Sequence, residues 1–260
     1  MGYWAVVFIV LGAGALAGML AVVVRRLVPL AVVRSHHEVG GAVFLQLGVI
    51  FAVLLAFVFN GVRTGYSVAA QAVNQECGSL HGVAILADTL PEPGRTAVLD
   101  GVRDYLAAAI DQEWPGMAHG RISTATTARF RAAWAAIARV APTAPGGAAV
   151  RSEMLAEMAT AHQSRETRLF QMTRSLPDLV WVMLIAFTVV LTGFLLAFAV
   201  ENVWSQVAFT AIFAAALAFV LVIIRLLDLP FQGALRLPPS DFVRTLHEVV
   251  QLLVAPGPAR

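Results

Sequence analysis

Four apolar runs constrain this chain more than any other feature: Trp4 to Val24, Val43 to Phe59, Leu179 to Val200 and Val207 to Leu227. About 20 such residues cross the hydrocarbon core of a bilayer as a helix, and inside lipid an isolated segment satisfies its backbone polar groups only by coiling into one. The second run is short, but Gly40, Gly41 and Asn60 to Val62 can extend it. Arg225, near the end of the fourth, is the sole ionisable side chain within any of them. Charged residues make up 13% of the chain, against about 25% in a soluble domain. The sequence therefore reads as an all-α integral membrane protein with four transmembrane helices. In the first run the basic pair Arg25-Arg26 follows the apolar stretch instead of preceding it, which reads as a retained helix and not a signal peptide. Gly14 and Gly18 within it form a small-xxx-small pair that lets a neighbouring helix approach.

The runs divide the chain into residues 1–61 (spans one and two), 62–177, 178–228 (spans three and four) and a tail, 229–260. Only Glu201 to Trp204 separates the last two spans, which predicts an antiparallel helical hairpin. No proline interrupts the stretch from the second span through Tyr66 and Val73 to about Leu86, so one long helix is expected to leave the membrane. Residues 62–177 carry three apolar sets at helical spacing: Val98, Val102, Tyr105, Leu106 and Ile110; Phe130, Trp134, Ile137 and Val140; Val150, Met154, Met158, Leu169 and Met172. Turns at Pro91 to Gly94, Trp114 to Gly116 and Pro142 to Gly147 separate them. This predicts a helical domain outside the bilayer, and a further short helix falls near Phe242 to Leu253.

Enzymatic constellations are missing, so no catalytic role is expected. His37-Glu38 and His247-Glu248 lack the second histidine of a zinc-protease motif, and neither a nucleophile elbow nor a phosphate-binding loop occurs. His36 and His37 read as a solvated loop pair, and Asp111 and Glu113 as solvated carboxylates two residues apart. No cofactor or metal is expected. All 18 basic residues are arginines, unclustered and without interleaved aromatics, which argues against nucleic acid as a partner. Cys77 is the sole cysteine, so one chain can build neither a disulfide nor a thiolate metal site; if exposed, it would report sidedness to an impermeant maleimide. The positive-inside rule divides. Arg63, Arg165, Arg168, Arg174, Arg225, Arg236 and Arg244 lie near membrane ends on the domain side, whereas Arg25, Arg26 and Arg34 follow the first helix on the other.

The second span carries Val49, Val53 and Phe57 at i, i+4 and i+8, stacked on one helix face. Asn60 and Asn74 continue roughly along the polar extension. In a ring of identical subunits such a face could line a pore; in a lone bundle it meets lipid or another helix.

Arg25-Arg26-Leu27-Val28-Pro29, His37-Glu38-Val39-Gly40-Gly41 and the run from Leu47 to Phe57 resemble a bacterial membrane-protein family described as bestrophin-like. Gln71-Ala72-Val73 with Glu76, Leu90-Pro91-Glu92-Pro93, Glu113-Trp114-Pro115, Glu201-Asn202, and Leu229-Pro230-Phe231-Gln232-Gly233 with Pro238 and Phe242 extend the resemblance over nearly the whole chain in matching order. Through that family the chain is similar to bestrophins, pentameric ion channels with four transmembrane helices and a cytosolic helical domain between the second and third. The resemblance implies a homo-oligomer, a pentamer, in a bacterial inner (plasma) membrane, passing small ions. Its pore neck would be Val49, Val53 and Phe57, its vestibule would include Asn60 and Arg63, and its helical domain would be cytoplasmic. The pattern departs after the neck, where Arg63-Thr64-Gly65-Tyr66 carries no tryptophan pair, and after the last span, where Asp228 and Asp241 stand without an acidic run; calcium gating is not implied. The competing reading is a non-conducting scaffold or sensor whose domain binds a partner or ligand and whose second span packs without an axial hole.

Overall fold

The computed structural model describes residues 2–27, 37–141, 146–198 and 202–255, with the backbone alone for 37–39. Pro29, Arg34, His36, Pro142, Pro145, Val200 and Glu201, and the side chains of His37 and Glu38, lie outside the described residues. Nine α-helices are described: α1 (Tyr3–Leu27), α2 (His37–Asp88), α3 (Gly94–Ala108), α4 (Trp114–Met117), α5 (Thr124–Ala138), α6 (Gly147–Thr173), α7 (Asp178–Ala197), α8 (Val203–Asp228) and α9 (Ser240–Val254). A π turn, Ala109–Glu113, joins α3 to α4. No strand occurs among the described residues. The helices α1, α2, α7 and α8 are each long and apolar enough to cross a bilayer. The chain is an all-α integral membrane protein with a helical extramembrane domain between its second and third spans.

Contacts group the chain into two units, Met1–Thr64 with Ser175–Asp228, and Gly65–Arg174 with Leu229–Arg260. The first holds α1, the start of α2, α7 and α8. Lipid offers no hydrophobic force between helices, so their association rests on close packing. Gly14 and Gly18 supply it against α8. A Cβ on Gly14 would lie 3.1 Å from the Ala211 carbonyl oxygen and 3.3 Å from the Ala215 Cβ; one on Gly18 would lie 3.3 Å from a Val207 methyl. Against α7 and α8, α2 lays an aromatic seam. Phe51 stacks on Phe187 with ring centroids 5.6 Å apart, and Phe44 packs edge-on to Phe198 at 5.5 Å. Gln206, buried in α8, donates from Nε2 to the Leu196 carbonyl oxygen at 3.2 Å, a partner for its N–H that hydrocarbon could not supply, while its Oε1 accepts no hydrogen bond among the described residues.

The second unit is an ordinary helical core. Its apolar face of α2 (Ala69, Val73, Leu80, Val83, Ala87) meets Val98, Val102 and Leu106 of α3, Phe130 and Ile137 of α5, and Met154 and Met158 of α6. Gly101 lets α3 and α5 close together, since a Cβ there would lie 3.0 Å from the Ala133 Cα. Ser123 caps α5 by accepting the Thr126 N–H at 3.1 Å. The segment after residue 229, which the sequence presents as a tail, enters this core. Phe242, Thr245 and Val249, spaced i, i+3 and i+7 on α9, are buried. Tyr66 donates to the Leu235 carbonyl oxygen at 3.0 Å and Trp114 to that of Leu237 at 3.1 Å. Buried Arg95 donates to the carbonyl oxygens of Leu252 and Ala255 at the end of α9, where the helix leaves its last carbonyls without intrahelical partners.

Candidate functional site

The long helix α2 presents two faces of opposite character. At about 100° per residue, Val49, Val53 and Phe57 sweep roughly 80° of its circumference. They are 55%, 52% and 75% exposed in the chain. On the far side Phe51 is buried, and Phe44, Leu47, Leu55 and Val58 pack with Leu184 and Leu191 of α7 and Phe213 of α8. The bundle thus covers one side of the helix and leaves the valine–phenylalanine side uncovered.

The polar continuation keeps to the uncovered side. Asn60, Thr64, Ser67, Gln71 and Asn74 follow at spacings of three and four, and all are exposed. Each falls within roughly 60° of the middle of the apolar stripe by the same helical geometry. Arg63 is exposed too, but it falls about 80° away, on the flank. Beside this strip, within the second unit, Ser67, Gln71, Asn74 and Gln75 of α2 and Gln163 and Thr167 of α6 line a groove of about 700 Å³ with no charged residue in its wall. The sequence reading found Asn60 and Asn74 on this strip. Thr64, Ser67 and Gln71 between them, and Gln46 three residues before Val49, share the exposure and were legible by the same period.

Directly behind the strip, α2 turns Glu76 into the core of the second unit, where a charge network fixes the helix. Arg168 donates from Nε to Glu76 Oε2 at 2.8 Å, and from Nη2 to Glu76 Oε1 at 3.2 Å and Glu113 Oε2 at 2.9 Å. Arg165 pairs with Glu113 and donates to Thr127 Oγ1 at 3.0 Å. The Tyr105 hydroxyl donates to Glu76. Glu76, Tyr105, Glu113, Arg165 and Arg168 are all buried, and two arginines balance two glutamates. Burial opposes the Arg168 charge, but Glu76, Tyr105 and Glu113 outweigh it and raise its pKa. Burial, reinforced by Glu76, pushes the Tyr105 phenol well above its ordinary value and keeps it a donor. The Arg168 guanidinium also lies 5.1 Å from the Trp114 ring centroid and 5.2 Å from that of Phe242, so one cation ties α2, α4, α6 and α9 together.

Three expectations change here. Glu113 is not a solvated partner of Asp111: it closes the π turn and is buried, while Asp111 is exposed. Arg165 and Arg168, counted as charges near a membrane end, are buried in the domain core; their spacing from Met158 and Ala161 places them on the apolar face of α6, the signal the count overlooked. Cys77, proposed as a label for sidedness, is buried beside Glu76, and burial followed by the Glu76 charge pushes its thiol up to about 12.

The family model described as a bestrophin-like domain matches residues 11–242. No curated protein is similar in sequence. Among solved structures, a point variant of a bacterial bestrophin homolog from Klebsiella pneumoniae superimposes with a TM-score of 0.73 at 13% identity, covering 96% of this chain and 99% of that one. The homolog from the same organism phased on zinc gives 0.72 at 12% identity, covering 95% and 98%.

Proposed function

The chain belongs to the bestrophin-like family, and from that premise we propose that it is a homo-oligomeric ion channel of a bacterial inner membrane, pentameric as the resemblance to bestrophins implies. Residues 1–61 and 178–228 form its membrane part, and residues 62–177 form a cytoplasmic domain, with 229–260 following the last span. One α2 from each subunit lines the pore, and rings of Val49, Val53 and Phe57 form the neck. The observation that carries this reading is the uncovered apolar face of α2, set against an opposite face that packs on α7 and α8 in the same bundle. A neighbouring subunit's copies of the same face, arranged around an axis, give those side chains a role that lipid does not require.

An apolar neck conducts while it is wide enough to stay wet and closes by dewetting. It offers no fixed charge, so discrimination between ions falls to the vestibule. There Asn60, Thr64, Ser67, Gln71 and Asn74 present amides and hydroxyls, which coordinate either sign, and Arg63 stands to one side. The pore proposed here therefore discriminates weakly by charge. The test is ion flux in liposomes holding the purified protein, wild type against Val49→Ala/Val53→Ala/Phe57→Ala. Wild-type flux that rises or changes selectivity in the triple variant supports the neck. No flux from either, across several salts and with the oligomer intact, replaces the channel with a non-conducting scaffold.

A further inference from the structure

A cleft of about 450 Å³ opens where α7 begins and α8 ends, lined by Ser175, Asp178, Trp181, Val182, Ile185 and Arg225. Asp178 opens α7 and Arg225 lies in the last turn of α8, so both charges sit at one boundary of the apolar spans. Trp181, one turn inside, occupies the depth at which tryptophan collects in membrane proteins. The Arg225 guanidinium lies over its ring, 6.0 Å from the centroid, and one guanidinium nitrogen is 3.3 Å from Asp228 Oδ2. Asp228 is buried and its other oxygen accepts the Leu176 N–H at 2.8 Å, so this carboxylate is committed to the protein. Arg225 remains 46% exposed, with guanidinium donors left for a ligand. Asp178 is exposed and forms no ion pair among the described residues. Below it, Val182 and Ile185 follow at i+4 and i+7 on the same helix face, both exposed.

We infer that this cleft holds the head group of a zwitterionic phospholipid bearing a primary ammonium. The phosphate accepts from Arg225 and the Ser175 hydroxyl, the ammonium donates to Asp178, and an acyl chain descends along Val182 and Ile185. The charge balance selects this class. Arg225 and Asp228 cancel, leaving Asp178, so a purely anionic head group meets an unpaired carboxylate. A quaternary ammonium brings charge but no N–H to donate. The lipid would stand on the leaflet side that carries the helical domain, and its binding does not depend on whether the protein conducts.

Native mass spectrometry of the detergent-solubilised full chain tests this, with phosphatidylethanolamine, phosphatidylcholine and phosphatidylglycerol added in turn. The ethanolamine lipid is expected to be retained about tenfold better than either other, the equivalent of roughly one charge-assisted hydrogen bond. Asp178→Asn, a change at an exposed site, should abolish that preference, and Arg225→Gln should lower retention of all three. Equal retention of the three lipids by wild type, an unchanged preference in Asp178→Asn, or displacement of the lipid by inorganic phosphate would each overturn the assignment.

Discussion

Replacing Arg168 with methionine probes the arrangement that holds α2 in the second unit. Methionine keeps an unbranched apolar stem of similar length among Met117, Trp114 and Phe242, so the change removes charge more than volume. The loss is specific: three hydrogen bonds to Glu76 and Glu113 at 2.8–3.2 Å, and stacking on two aromatic rings. Glu76 and Glu113 then share the cation of Arg165 alone, leaving one negative charge unpaired in the core. Removing one partner of a buried ion pair costs about 3–5 kcal/mol, a large part of the roughly 5–15 kcal/mol that holds a domain folded. At about 2–4 °C per kcal/mol for a chain of this size, thermal unfolding in detergent, followed by circular dichroism, should move down by roughly 6–20 °C. Adding Glu76→Gln restores charge balance, so the double variant should recover part of the loss, with a coupling energy of about 1.5 kcal/mol or more. A single-variant loss below about 1 kcal/mol, or two losses that add within about 0.5 kcal/mol, would refute the account of a charge-compensated core.

Three other outcomes follow from the packing. Cys77 is 2% exposed, so an impermeant maleimide should leave the folded protein unlabelled from either side and label it fully once denatured. Its thiol keeps its proton to about 12 in the fold against 9.0 ordinarily; stability should therefore hold below pH 9 and decline above it, with a Cys77 contribution of up to about 1.4 kcal/mol per pH unit that is absent from Cys77→Ala in denaturant titrations between pH 8 and 11. In the membrane unit, Gly14→Leu should force α1 away from Ala211 and Ala215 and cost about 1–3 kcal/mol, seen as a lowered melting temperature. Gly12→Leu, where a Cβ would meet nothing within 4 Å, should leave it unchanged.

Much of the architecture was legible because lipid enforces it locally. A span must supply its own backbone partners and its own apolar surface, so each of the four declares itself within about 20 residues. Gly14 and Gly18 announced the close contact of α1, and the long uninterrupted α2 could be followed from Val43 to the eighties. The Val49, Val53 and Phe57 face was likewise a matter of period. The charge network was not read, although its two arginines sit at the right spacing. Arg165 and Arg168 fall on the apolar face of α6 and Glu113 in a buried π turn, yet composition marks such residues as surface, and the compensating partner of each lies far away in sequence.

The sequence by itself determined how many helices cross the membrane, where the helical domain is inserted, and which residues share each face. These follow from hydrophobicity and a period of 3.6, properties of neighbours along the chain. The tertiary structure alone decided which face of α2 is covered, that the segment after Leu229 closes the domain core, and that Cys77 is hidden. It also decided that Arg168 is held by Glu76, 92 positions earlier. Arg168 can be buried because distant helices bring two carboxylates within about 3 Å of it, and that coincidence is a property of the packed chain.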